Sequence, residues 1–196
     1  YSSHTLEHIH PKWLLHNMKE AYRSLKPGGG FRITVPDYDL AADAYEKKNL
    51  TFFHKDIYDA PNLDIYKDYD GKYILEYAFV YYFCQHMWDR IEESEIQKLY
   101  KKLGRYKFAD KLVNNVPLDL VGINADIGAH VNWFNANKLV RIMKDVGFSE
   151  VAIMKRHQRQ SDGKFHIKGK TYPELVGSRA QVWHGNAYKT TGGLTK

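Results

Sequence analysis

The chain has 196 residues, 43% of them hydrophobic, and a formal charge of +6, which suits one globular α/β domain and excludes wholesale disorder. A single cysteine, Cys84, excludes an internal disulfide and fits a reducing compartment. The longest apolar run, Tyr77 to Cys84, is far too short to span a bilayer, so the expectation is a cytoplasmic protein with no membrane partner.

The first element predicted is a helix opening at Pro11, where the missing N–H costs nothing. Its apolar stripe is Leu14, Leu15, Met18, Ala21, Tyr22 and Leu25, and Lys26-Pro27-Gly28 closes it. Gly30 to Pro36 is β-branched and aromatic and reads as a strand. A weaker helix follows from Asp37 to about Asn49, and then a polar, tyrosine-rich excursion from Thr51 to Asp70. Between Tyr73 and Leu103 the helical period returns, with Cys84 on the apolar face as a core residue. A helix from about Asn135 to Val146 stops at Gly147. Strands are expected from Phe148 to Met154 and from Arg179 to Trp183, and a flexible tail over 189–196.

The glycine cluster Gly28-Gly29-Gly30 follows a helix and precedes a strand. A nucleotide-binding fingerprint needs the reverse order, so these glycines are read as a turn. His4, Glu7, His8, His10 and His16 lie close in sequence, but no helical H-x-x-x-H pair with a matching third ligand is evident, and no metal site is expected. Glu7 reads either as a helix cap or as the partner of a basic side chain. The basic residues are interleaved with acids, which favours a solvated surface over a nucleic-acid face.

Two segments together carry a family resemblance. The first runs through Ser3-His4-Thr5-Leu6-Glu7-His8 to Arg23-Ser24-Leu25-Lys26-Pro27-Gly28-Gly29; the second is His130-Val131-Asn132-Trp133-Phe134 with Leu139 to Phe148. They resemble the C-terminal part of class I S-adenosylmethionine-dependent methyltransferases. The resemblance implies an α/β fold, a partial Rossmann-like sheet with flanking helices, forming one domain over 1–196 with a helical insertion over 51–115. It implies methyl transfer from S-adenosylmethionine to an unidentified acceptor. Ser3, His4, Thr5 and Leu6 would line the cofactor, His4, His8 and His130 would be catalytic, and Asp37 and Tyr38 would face the acceptor.

The glycine-rich loop and the ribose-holding acid of that family would precede Tyr1. The chain is therefore expected to be N-terminally truncated, as a fragment or as a natural remnant. A bare half-sheet implies a homo-oligomer whose partner covers the exposed edge. The competing readings are a non-catalytic, oligomeric interaction module and a basic nucleic-acid-binding domain.

Overall fold

The computed structural model describes residues 1–26, 29–53, 74–121, 128–155, 165–167, 170–172 and 179–184. Among these the chain is mainly helical. Strand β1 is Ser2–Ser3, and a 3-10 turn at Leu6–His8 leads to helix α1 (Pro11–Ser24). Strand β2 (Gly30–Thr34) and helices α2 (Tyr38–Glu46), α3 (Leu75–Phe83), α4 (Glu93–Leu103), α5 (Arg105–Asn114) and α6 (Ala136–Val146) follow. The chain then gives β3 (Glu150–Lys155), β4 (Phe165–Ile167), β5 (Lys170–Tyr172) and β6 (Arg179–His184). No helix among the described residues is long and apolar enough to cross a membrane.

Local chemistry explains the helix boundaries. Pro11 opens α1, and the His10 ring caps it, Nδ1 accepting from the Lys12 N–H at 3.1 Å. Asp37 caps α2 by accepting from Asp39 N–H at 3.0 Å, and Asn135 caps α6 by accepting from Lys138 N–H at 2.8 Å. Gly147 ends α6 in the left-handed region at φ 114°, close against the ring of Tyr22. The helical stretch expected from Tyr73 to Leu103 is two helices, because the backbone leaves the helix at Cys84 and Gln85 N–H turns to the carbonyl of His130 at 2.8 Å.

The expected α/β fold with a Rossmann-like sheet is overturned. Six α-helices dominate the described residues. Up to residue 155 the strands amount to one parallel pair, β1 with β2 over two residue positions, and β3, which pairs only with β6. β6 also pairs with β2 in parallel, and β4 and β5 form a separate antiparallel hairpin. The reason lies in where the apolar mass goes. The larger core is built by α2 to α5 around Tyr38, Phe79, Phe83 and Phe108, with no strand in it. Phe79 is its centre, stacked on Tyr45 with ring centroids 4.5 Å apart and surrounded by Phe83, Tyr100 and Phe108. A sheet covers only the smaller core, where Ile33 and Val35 meet Leu14 and Met18 of α1 and Leu139 and Met143 of α6. The 51–115 segment thus supplies the main hydrophobic core rather than decorating one. Its residues 54–73, like the tail over 189–196, lie outside the described residues.

Candidate functional site

The two cores meet at the segment that follows β1. At the end of β1 the chain turns sharply: His4 sits in the left-handed region at φ 50°, and its N–H donates to Thr34 O at 3.0 Å. The 3-10 turn then sends Leu6 into the smaller core and Glu7 inward, so that Glu7 is only 1% exposed. A buried carboxylate is costly unless it is paired or bound. His4 Nδ1 lies 3.0 Å from Glu7 Oε1, and beyond this ion pair neither oxygen of the carboxylate has a hydrogen-bond partner among the described residues. His8 Nε2 is 4.0 Å from the same Oε1.

Residues 129–132 run alongside Glu7 to Ile9 and bring in His130. Val131 N–H donates to Glu7 O at 2.8 Å, and Asn132 Nδ2 donates to Ile9 O at 3.0 Å. On the opposite side His130 N–H donates to Gln85 Oε1 at 2.6 Å. The rings of His8 and His130 are tilted, with centroids 5.1 Å apart. One polar cluster therefore forms from residues separated by more than a hundred positions in sequence.

Each imidazole has its own environment. The hydrogen bond to Glu7 raises His4 above the ordinary histidine range, against the opposing effect of burial. Burial lowers His130, and the contact with Tyr82 O works the other way. His8 Nδ1 is 3.0 Å from Ala129 O, and His130 Nδ1 is 2.7 Å from Tyr82 O. A carbonyl can only accept, so in both rings Nδ1 carries a proton, and in the neutral ring the lone pair is on Nε2.

Beside the cluster lies a small cleft of about 10 Å³, room for about one water-sized group, lined by Glu7, His130, Tyr38, Tyr82, Asn132 and Trp133 among others.

The sequence-derived site residues separate into two groups. His4, His8 and His130 come together around Glu7. Ser3 is paired in β1 opposite Thr34, and its carbonyl accepts from the exposed Thr5 hydroxyl at 3.2 Å. Leu6 packs in the smaller core. Asp37 is the cap of α2, and the Tyr38 hydroxyl donates to Arg105 O at 2.8 Å while its ring lines the cleft. Cys84 is fully buried, and burial pushes its thiol far up, so it is a packing residue.

Glu7, expected as a helix cap or as the partner of a basic side chain, pairs with His4; Tyr82 and Asn132 are the residues that the sequence did not mark. Glu7 stands within the quoted Leu6-Glu7-His8 segment, and Asn132 within His130-Val131-Asn132. The clue was an acid between two histidines, next to the apolar Leu6.

Residues 176–196 match the DVNP family. Of these, only Arg179–His184 fall among the described residues, as β6. No curated protein and no solved structure matches the chain.

Proposed function

We propose that the chain contributes the proton-accepting side of an S-adenosylmethionine-dependent methyl transfer, with His4 as general base and Glu7 as the group that orients it. The observation that carries this reading is the His4–Glu7 pair: a buried carboxylate holds Nδ1 of an imidazole that is otherwise 39% exposed at the carboxyl end of β1. Ligands of parallel strands gather at that end. With Nδ1–H directed to Glu7, the basic nitrogen is Nε2. The carboxylate raises the affinity of the ring for the proton it would accept.

S-adenosylmethionine supplies an electrophilic methyl group. In such a transfer His4 Nε2 would take up the proton released by the acceptor. The imidazolium so formed is stabilised by the Glu7 carboxylate, 3.0 Å from Nδ1.

The test is calorimetric titration of S-adenosylhomocysteine into the purified chain. Binding in the micromolar range supports the reading, and His4→Gln is then expected to leave that binding intact while methyl transfer falls. A folded chain that gives no heat of binding removes the reading for this chain.

A further inference from the structure

We propose that Glu7, His8 and His130 form a binding site for a divalent transition-metal ion of the zinc class. This inference stands on geometry alone and does not depend on the methyl-transfer reading.

The three side chains offer one carboxylate oxygen and two imidazole nitrogens, all within 4.8 Å of one another. A bound zinc ion with bonds of about 2.0–2.1 Å would hold such atoms roughly 3.3 Å apart. Small side-chain rotations therefore close the site, with no rearrangement of the backbone. Two imidazoles with one carboxylate is a ligand set that suits zinc and its neighbours, and it leaves at least one coordination position open.

Three independent features show that the residues are arranged rather than merely adjacent. The first is the tautomer. Both histidines spend Nδ1–H on backbone carbonyls, His8 on Ala129 and His130 on Tyr82. This fixes Nε2 as the free nitrogen in each ring, which is how metal-ligating histidines are commonly held. The second is the carboxylate. Glu7 is 1% exposed, yet its Oε2 has no hydrogen bond among the described residues. A bound cation would satisfy what His4 leaves unsatisfied on so costly a buried group. The third is the scaffold. Val131 N–H to Glu7 O and Gln85 N–H to His130 O, both 2.8 Å, lock the segments that carry the ligands.

His4 completes the arrangement from outside. It engages Oε1 of Glu7, and a carboxylate has acceptor capacity for an ion as well. His8, whose side chain is 28% exposed, marks the open side through which an ion enters. The adjoining cleft, with Asn132 and Tyr82 on its wall, gives an ion-bound group somewhere to sit.

The test uses the full chain, stripped with a chelator and titrated with Co²⁺ as a spectroscopic stand-in for Zn²⁺. The expected result is one equivalent of Co²⁺ with visible absorption of a nitrogen–oxygen site, displaced by Zn²⁺. Proton spectra of the Co²⁺ form should show two strongly shifted, exchangeable imidazole N–H signals, one from each Nδ1. Glu7→Gln and His130→Gln, confirmed as folded by circular dichroism, should each weaken binding by more than the roughly 10–100-fold that loss of an outer-shell partner costs. The exposed His16→Ala control should bind as the parent does. A folded parent chain with no Co²⁺ absorption, or absorption without the two shifted signals, overturns the site. So does binding that survives unchanged in both folded variants.

Discussion

Lys138 holds its ammonium where water hardly reaches, with the side chain 12% exposed. Burial pulls its pKa down to about 8. The Asp110 carboxylate 3.9 Å away and the Trp133 ring, 4.1 Å from Nζ to its centroid, both favour the charged form. Asn132 Oδ1 accepts from the same ammonium at 3.1 Å. The sign of the resulting pH dependence follows from a folded value below the unfolded one, which is about 10.4. Between those values the unfolded chain binds more protons, so stability rises with pH at up to about 1.4 kcal/mol per unit. Denaturant melts of the parent and of Lys138→Met at pH 7 to 10 isolate this contribution. The parent's stability relative to the variant is expected to be flat below about pH 8 and to climb above it. A flat difference throughout would mean that Asp110 and Trp133 hold the lysine charged over the whole range.

At the scale of elements, α6 shows what the sequence discloses and what it withholds. Its stripe of Leu139 and Met143, its start beside Asn135 and its stop at Gly147 are local signals, and all three can be read from the residues alone. The same holds for α1, which Pro11 opens. The break at Cys84 carries no proline or glycine to announce it. It exists because Gln85 pairs with His130, 45 positions away. The candidate site was half legible for the same reason. His4, His8 and His130 stand in recognisable segments, but their meeting around a buried Glu7 depends on hydrogen bonds between distant backbones. Two substitutions test the local part. Asn135→Ala removes the cap to Lys138 N–H and the Nδ2 bond to Asp39 Oδ2 at 3.0 Å, and is expected to cost about 1–2 kcal/mol. Gly147→Ala forces a Cβ into the left-handed region and within 3.3 Å of the Tyr22 ring, at a cost of about 1–2 kcal/mol. The two sites lie at opposite ends of α6, so their effects in urea melts should add to within about 0.5 kcal/mol.

A buried carboxylate stands at the seam between the two cores. Seen from the sequence, strand-like segments at 30–36 and 148–154 suggested a sheet as the organising layer. The aromatic residues of α2 to α5 instead draw the larger core into helix packing, and the sheet keeps only the smaller one. Glu7 stands where the cores adjoin, 1% exposed, with His4 as its close partner and Oε2 unsatisfied. An arrangement kept for ligand binding is expected to carry a stability cost that an apolar residue of similar shape would relieve. Glu7→Met should therefore make the metal-free protein more stable, by on the order of 1–3 kcal/mol. Adding Zn²⁺ should close or reverse that gap. At a hundred times its dissociation constant the ion adds about 2.7 kcal/mol to the parent and nothing comparable to the variant. Paired thermal melts with and without Zn²⁺ read both effects at once. If Glu7→Met instead lowers stability without metal, Glu7 is a structural partner of His4, and the seam is held together by the pair rather than strained by the carboxylate.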